Sequence, residues 1–487
     1  MLIQDASTRP HDCETPLHLV PRLPIELCEM VIDHIALLST HISFEFEWTR
    51  FEAREWRITL IACAHACKGW YDRSMYHLQR NVWLSDREQA VSLSNHLRRH
   101  HHLGAAIRHA IFPEPAPGLY TLIPHFTTFV LMLARRIPNI TSLTLIKVIW
   151  KASSMHAYVF ECLPVHSTIT HLRLYKVMFE KPSQFASLIS AIPNLRHLTC
   201  AFTGCLNKYW QSPSRMPRAR VCEIVLFNTD HDVANVLAEF NSISSTVEIL
   251  SFHASHTASG SAFPGRGLLV TQAGQKLLNA FGASLRSVEL TDRDGWAETR
   301  TFSLSRQSNL TTLVVTHLFT RCPNLARTSA ALSTIISTSI SSIHIRYTHD
   351  RLWAFRENLW DLVPPFDEEQ NKANIDAARN IDEILSGSIF AKFPPSSVRF
   401  ELELMTANDA DIAAEQKVGE GNWERFLSQN MPRAAARGIL DCALILVKEA
   451  VTVLPVTSSP SNVWAKEYSK HILNASHAKV DPAPEAD

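Results

Sequence analysis

The sequence has little glycine, with only 14 in its 487 residues. Phosphate-cradling loops depend on glycine, because backbone amides must approach the anion closely. The chain also lacks a Gly-x-x-x-x-Gly-Lys-Ser/Thr loop, a Gly-x-Ser-x-Gly elbow and a His-Glu-x-x-His zinc helix. These absences argue against the common nucleotide-hydrolysing, esterase and zinc-protease classes. We therefore expect a chain that is not an enzyme and that needs no cofactor.

An excess of charge of one sign is also missing, since 47 basic residues balance 47 acidic residues. No overall field draws the chain to nucleic acid or to an anionic membrane. The most apolar late window, residues 438–456, contains Asp441, Lys448 and Glu449, which argues against a bilayer span. Residues 1–20 do not resemble a secretory signal, and the ten cysteines show no paired spacing. We expect a cytoplasmic or nuclear protein that binds neither nucleic acid nor membranes.

Two clusters of histidine and cysteine raise the question of a metal site. On a helix, Cys63 and Cys67 share one face, whereas His65 points to the other side. The consecutive histidines of residues 100–102 point in different directions on a helix, with no cysteine or carboxylate at coordinating spacing. We therefore expect no metal at either cluster.

The most distinctive stretch is residues 23–70. It opens with Leu23-Pro24-Ile25-Glu26-Leu27, where the proline suits the first turn of a helix because its missing N–H would have no partner there. A second apolar segment, residues 58–70, predicts another helix that ends at Gly69. Helical spacing predicts one apolar stripe in the first helix, made of Leu27, Val31, Ile35 and Leu38.

The two ends of this stretch carry a family resemblance. Leu23-Pro24-Ile25-Glu26-Leu27 and Cys67-Lys68-Gly69-Trp70 match, in order, the F-box pattern of Leu-Pro-x-Glu-Leu and Cys-Lys/Arg-x-Trp. The sequence thus resembles F-box proteins, and fungal ones most closely. It departs from them at His65-Ala66, where Leu-Val is usual, and by an insert at residues 39–56. The resemblance implies that a Skp adaptor docks on a surface formed or supported by Leu23, Pro24, Leu27, Val31, Ile35, Cys67 and Trp70.

Further along, the chain repeats the pattern apolar-x-x-apolar-x-apolar. The middle positions of successive copies are separated by 29, 26, 26, 26, 38, 25 and 30 residues. The eight copies are Ile140/Leu143/Leu145, Ile169/Leu172/Leu174, Leu195/Leu198/Cys200, Val221/Ile224/Leu226, Val247/Leu250/Phe252, Leu285/Val288/Leu290, Leu310/Leu313/Val315 and Ile340/Ile343/Ile345.

Helical stripes lie between these copies, as at Phe185/Leu188/Ile189/Ile192. One strand and one helix in each unit resemble a leucine-rich-repeat array, whose units stack because none can bury its apolar face alone. The Asn that usually follows the repeat strand is mostly missing, so irregular curvature is expected. An ordinary α/β domain is the alternative, with fewer strands and longer apolar runs.

The predicted fold class is α/β, with an N-terminal helical F-box-like unit followed by an irregular leucine-rich-repeat-like solenoid containing a parallel sheet. Alternating apolar residues at Val398, Phe400, Leu402 and Leu404 predict a late strand that continues the sheet. The predicted segments are a flexible N-terminus (1–20), the F-box-like unit (21–84, with an inserted loop at 39–56), a helical linker (85–138), the repeat array (139–350), a C-terminal continuation or cap (351–456) and a flexible tail (457–487).

Side chains alternate across a strand, so the residues between the inward positions should face outward, toward the concave surface of a stacked array. Aromatic and arginine side chains are common at interface hot spots. The predicted target-binding residues are His171, Arg173, Tyr175, His197, Glu223, Phe227, Glu289, His344 and Arg346.

Together these features predict a substrate-recognition adaptor of a Skp–cullin–F-box ubiquitin ligase. The F-box would dock the Skp adaptor and, through it, the cullin. The repeat array would bind a protein target. The alternative is a repeat-built interaction scaffold with no ligase role. A hydrolase in the C-terminal region is a third hypothesis.

Overall fold

A computed structural model of the chain describes residues 24–40, 49–113, 122–151, 158–207, 219–253, 267–293, 302–319, 325–349, 368–406 and 412–448. The chain divides into two compact units, residues 1–80 and residues 81–487. Each unit has its own hydrophobic core. Among the described helices, none is long and apolar enough to cross a bilayer.

The described residues of the first unit form three helices, α1 (Ile25–Thr40), α2 (Thr49–Ala66) and α3 (Lys68–Arg80). Helix α1 starts directly after Pro24, whose carbonyl accepts the backbone N–H groups of Leu27 and Cys28 at 3.1 and 3.2 Å. The three helices bury a small shared core, made of Ile32, Ile35, Ala36, Leu60, Cys63 and Leu78.

Three predictions about this unit are wrong in detail. The buried side of α1 is formed by Cys28, Ile32, Ile35 and Ala36, so Leu27 and Val31 lie outside the core. The second helix does not end at Gly69, because the Cys67 carbonyl accepts the N–H groups of Trp70 and Tyr71 and opens a new helix there. The predicted inserted loop is partly helical, since α1 reaches Thr40 and α2 begins at Thr49. Residues 41–48 and the side chain of Leu38 lie outside the described part.

The second unit is mixed α/β, with a large parallel sheet, as predicted. Twelve strands pair in the order in which they occur along the chain, and all the pairings are parallel. They are β1 (Asn81–Trp83), β2 (His109–Phe112), β3 (Ser142–Ile146), β5 (His171–Tyr175), β7 (His197–Ala201), β9 (Glu223–Phe227), β10 (Ile249–His253), β11 (Ser287–Arg293), β12 (Thr312–Phe319), β13 (Ser342–His349), β14 (Val398–Thr406) and β15 (Leu440–Lys448). A second parallel sheet joins β4 (Ile149–Trp150), β6 (Met178–Phe179) and β8 (Gly204–Cys205).

Helices occur between most successive strands of the large sheet. They are α4 (Arg87–Arg99), α5 (His101–Gly104), α6 (Pro124–Leu133), α7 (Tyr158–Cys162), α8 (Pro182–Ser190), α9 (His231–Glu239), α10 (Asn241–Ser244), α11 (Gly267–Phe281), α12 (Leu325–Leu332), α13 (Glu368–Leu385), α14 (Ile412–Asn430) and α15 (Pro432–Ala436). Such returns are required, because a parallel neighbour cannot be reached by a tight hairpin.

The core of this unit lies between the sheet and these helices. All eight copies of the apolar pattern are buried, and no member is more than 5% exposed. Helix residues such as Phe185, Leu188 and Ile189 belong to the same apolar cluster as the inward strand positions. The predicted inward register is therefore confirmed.

Within the second unit, backbone hydrogen bonds recur just before the strands of successive strand-and-helix segments. Two successive amides donate to one carbonyl of the preceding segment, as Thr170 and His171 do to Thr141, at 2.9 and 3.0 Å. The same arrangement recurs as far as Ser341 and Ser342, which donate to Thr311. Consecutive strand-and-helix segments are therefore hydrogen-bonded to each other just before their strands begin.

A left-handed residue ends several of the strands. Four residues that directly follow strands, which are named below, have φ between 48° and 53°. This backbone conformation costs a residue other than glycine about 1 kcal/mol. Each of their N–H groups donates at 2.8–2.9 Å to the last carbonyl of the next strand, which offsets that cost. These residues are Lys147, Lys176, Phe202 and Asn228.

The sheet is longer than predicted at its N-terminal side. Residues 85–138 were expected to be a helical linker, yet β2 lies within them and pairs with β1 and β3. Strands of three and four residues are too short to show alternation in the sequence. The predicted late strand is β14, and the apolar segment after residue 438 supplies β15, so both continue the sheet. Residues 1–20 and 457–487 lie outside the described part.

Replacing Leu198 by Ala should lower the free energy of unfolding by about 2–5 kcal/mol, because a cavity remains in a closely packed core. The neighbouring Thr199 faces outward and is half-buried, so Thr199→Ala should change it by less than about 1 kcal/mol. Calorimetric melting of the full chain measures both variants. Equal losses would mean that inside and outside are exchanged by a register shift of one residue.

Candidate functional site

Helix α1 carries a second apolar face that is exposed. Leu27, Met30, Val31 and Leu37 are 46%, 65%, 49% and 59% exposed. Their spacing places them on one side of the helix, away from Cys28, Ile32 and Ala36 in the core. A group of large exposed apolar side chains is typical of an interaction site.

The predicted adaptor-binding residues divide into two groups. Pro24, Leu27, Val31 and Cys67 are exposed, whereas Ile35 is buried in the helical core and Trp70 packs against it. The first four can therefore contact a partner, while Ile35 and Trp70 support the helices from inside. Leu23 lies outside the described residues.

Sequence reasoning missed Met30 and Leu37 as members of the exposed face of α1. Both lie at helical spacing from Leu27, so the spacing alone could have included them. What the spacing could not show is which side of a helix with apolar residues on two sides is covered.

An ion-paired clamp fixes α1 against α3. Arg73 donates from Nε to Asp33 Oδ1 at 2.7 Å and from Nη2 to Asp33 Oδ2 at 2.6 Å. His77 Nε2 lies 2.7 Å from the same Oδ1. The hydrogen bonds from Arg73, with a smaller effect from His77, lower the pKa of Asp33 to about 2. The exposed face of α1 is therefore held in a defined orientation.

The second candidate surface is the outer face of the large sheet. At its N-terminal part, the His171 and His197 rings stack with centroids 4.3 Å apart and an interplanar angle of 11°. His197 Nδ1 lies 2.8 Å from Glu223 Oε2. Burial lowers the pKa of His171, which keeps it neutral beside its neighbour. The parallel register brings these three predicted residues together in one row.

Glu289 lies farther along this face, on β11. Its Oε2 accepts a hydrogen bond from Ser251 Oγ at 3.0 Å and lies 4.0 Å from His253 Nε2. His253 Nδ1 in turn lies 2.7 Å from Thr291 Oγ1. Glu289 is thus held in a polar network with its neighbours.

At the C-terminal part, His344 and Arg346 both contact Glu401 on the next strand. Arg399 also approaches this carboxylate. Sequence alternation places Glu401 on the outer face, but it does not predict that the residue is only 3% exposed. Neither Arg399 nor Glu401 was among the predicted site residues.

Two predicted target-binding residues offer little surface. Tyr175 is 1% exposed and Phe227 is 9% exposed. Phe202 lies between them, with ring centroids 5.9 Å from Tyr175 and 5.3 Å from Phe227. Lys176 Nζ lies over both Tyr175 and Phe202. These aromatic rings therefore form a packed row that supports the surface. Arg173, in contrast, is half-buried on the same face.

One group within the described residues brings three potential metal ligands together, at Asp230, His231 and Asp232. His231 Nδ1 lies 2.7 Å from Asp230 Oδ1, and its Nε2 lies 3.2 Å from Asp232 Oδ1. Each ring nitrogen of His231 thus lies near a carboxylate oxygen, and which nitrogen donates depends on the tautomer. The three side chains form a polar cluster at the start of α9.

No protein-family model matches this chain, and no curated protein matches its sequence. Function is therefore inferred from the chemistry of the two surfaces, an apolar helix face in the first unit and a polar sheet face in the second.

The Asp33 clamp makes a pH-dependent prediction for the first unit. The folded pKa is lower than the unfolded value of about 3.9, so the clamp stabilises the folded state above about pH 4 and loses this effect as the pH falls toward 2. Asp33→Asn should therefore reduce the hydrogen-exchange protection of α1 at about pH 6 and have little effect at about pH 2. Mass spectrometry of α1 peptides measures the protection.

Asp72→Asn is the control, because Asp72 is an exposed acid on α3. It should leave the protection of α1 unchanged at both pH values. An equal effect of Asp33→Asn at the two pH values would contradict the ionic origin of the clamp.

Proposed function

We propose that this chain is the substrate-recognition adaptor of a Skp–cullin–F-box ubiquitin ligase. The observation that carries the proposal is the exposed apolar face of α1, within the stretch that bears the two F-box-like motifs. The first unit docks the Skp adaptor, which links the chain to a cullin. The second unit captures a protein target.

The energetics of α1 support a docking role. The helix already contributes Ile32, Ile35 and Ala36 to its own core, so its exposed apolar side chains are not needed for internal packing. Covering four such side chains would contribute on the order of a few kcal/mol to binding. Pro24 and Cys67, at the two motif ends, are exposed as well and can extend the contact.

The second unit is proposed to be a leucine-rich-repeat-like solenoid. Each strand of the large sheet pairs with the preceding and following strands of that sheet, which is how stacked repeats contact one another. The Asn expected after the repeat strand is replaced by Thr203 and Thr229. Their hydroxyls donate to the Leu174 and Cys200 carbonyls of the preceding units, at 3.3 and 2.9 Å.

The outer face of the sheet suits a protein target. It presents stacked histidines, arginines and carboxylates that are held in place by neighbouring strands. Basic and acidic side chains are both present on it, which differs from the continuous basic stripe of a nucleic-acid site. Ubiquitin transfer belongs to the partner proteins, and this chain contributes proximity by raising the effective concentration of a target lysine.

Leu27→Glu combined with Val31→Glu should abolish binding of the Skp adaptor. Apolar anchors at an interface cost ~2 kcal/mol or more when lost, so each change should reduce affinity roughly thirtyfold. Binding of purified Skp adaptor to the full chain is the measurement. Leu131→Glu is the matched control, because Leu131 is a similarly exposed (48%) leucine on α6.

Two results count against the proposal in different ways. Absence of Skp binding by the wild-type chain would remove the ligase role and favour the repeat-built scaffold. Wild-type affinity in the double variant would show that another surface binds the adaptor.

For the target surface, His171→Ala with His197→Ala should remove the proteins that co-purify with the wild-type chain, other than the adaptor and cullin. The stacked rings are part of the outer face, and His197 is partly exposed there. Quantitative mass spectrometry of affinity-purified complexes measures the change. His101→Ala with His102→Ala is the control, because both histidines are exposed on α5. Unchanged target recovery from the first variant would move the target site elsewhere.

A further inference from the structure

Strands β13 and β14 of the large sheet hold a charged group on their outer face. Glu401 on β14 is only 3% exposed, and three basic side chains surround its carboxylate. Arg346 donates from Nε to Oε1 at 2.6 Å, while His344 Nε2 lies 3.1 Å from Oε2. Arg399 Nε lies 3.3 Å from the same Oε2. A buried carboxylate is costly unless it is paired in this way.

Backbone register determines this arrangement. Arg346 pairs with Glu401 across β13 and β14, and His344 pairs with Arg399 in the adjacent row. The four side chains therefore occupy one block of two neighbouring strands. Since both arginines meet Glu401 through Nε, the carboxylate fixes the direction of each guanidinium group.

Within the described part of the chain, the Nη groups of Arg346 have no acceptor. Within the described residues, the only acceptor of Arg346 is Glu401, through Nε, and the side chain is 36% exposed. Arg399 uses Nη1 toward Asp441 at 3.8 Å and is 45% exposed. A guanidinium group offers parallel N–H donors that match the two oxygens of a carboxylate or a phosphate.

We infer that Arg346, oriented by Glu401 and assisted by Arg399, binds a carboxylate group of the captured protein. This inference rests on the proposed function and specifies the chemistry of the target. Either the side chain of an Asp or Glu or a chain-terminal carboxylate supplies the group. The site thus selects an acidic element of the target at the C-terminal part of the sheet.

The neighbouring acids favour a carboxylate over a phosphate. Arg346 and Arg399 carry two positive charges beside the carboxylates of Glu401, Asp441 and Glu403, and burial lowers the pKa of His344. Asp441 lies beside Arg399, and Glu403 accepts a hydrogen bond from Thr348 at 3.4 Å. A phosphate group with nearly two negative charges would be repelled by these carboxylates more strongly than a single carboxylate.

Three arrays of short random-sequence peptides test the inference with the purified full chain. One has amidated C-termini, one has free C-terminal carboxylates, and one carries phosphoserine in place of every Asp and Glu. If an Asp or Glu side chain supplies the carboxylate, peptides bound on the amidated array should be enriched in Asp and Glu. If the chain end supplies it, binding should be confined to the array with free C-terminal carboxylates.

The decisive variant is Arg346→Gln with Glu401→Gln. It removes one positive and one negative charge, so it leaves no unpaired buried charge and keeps the net charge of the surface. Affinity for the enriched peptides should fall at least about tenfold, because a charge-assisted pair is lost. Arg346→Lys should show a similar loss, since lysine keeps the charge but not the fork of donors. Arg379→Gln, at an exposed arginine on α13, is the control and should bind normally.

Three outcomes overturn the inference: no carboxylate-dependent binding on any array, unchanged affinity in the Arg346 variants, or stronger binding to phosphoserine peptides than to their acidic counterparts. Skp binding is measured on the same proteins. Loss of the peptide result with Skp binding intact overturns only this inference, whereas absence of Skp binding overturns the proposed function.

Discussion

The second unit depends on one constraint: each inner strand of the large sheet pairs in parallel with the preceding and the following strand of that sheet. A parallel neighbour requires the chain to return along the core, and helices supply most of these returns. Each strand buries its apolar positions against those helices in one continuous cluster. The alternate positions are then aligned across neighbouring strands on the opposite face.

This alignment gives the outer face its chemistry. Residues that are far apart in the chain become neighbours because the register is regular, as in the row of His171, His197 and Glu223. The strands also hold their polar side chains through cross-strand contacts, such as Ser251 with Glu289. A target that binds here meets side chains that are already oriented, so less conformational entropy is lost on binding.

The first unit follows a different principle. Its three helices form a small core, and α1 has apolar side chains on two sides. One side stabilises the unit, while the other remains exposed. The Asp33 clamp to Arg73 and His77 keeps the helix in place without covering that exposed side. Internal stability and availability to a partner are therefore served by different residues of the same helix.

The sequence by itself determined the inward positions of the sheet. Its apolar pattern recurs eight times at intervals of 25–38 residues, and alternation along a strand leaves one face for the core, so residues such as Leu172 and Leu198 could be placed without coordinates. It also predicted an α/β fold with a parallel sheet and the late strand around Phe400. The short strands β1 and β2 could not be predicted, because three or four residues carry no clear period.

Only the tertiary structure decided which candidate residues are accessible. Val31 is exposed because the core of the first unit covers the other side of α1, and Tyr175 is buried because Phe202 packs beside it from the turn after the next strand. Glu401 is enclosed by basic residues of two strands, and one of these residues, Arg346, lies 55 residues earlier in the chain. Burial and ion pairing of this kind depend on contacts between distant segments, which local periodicity does not encode.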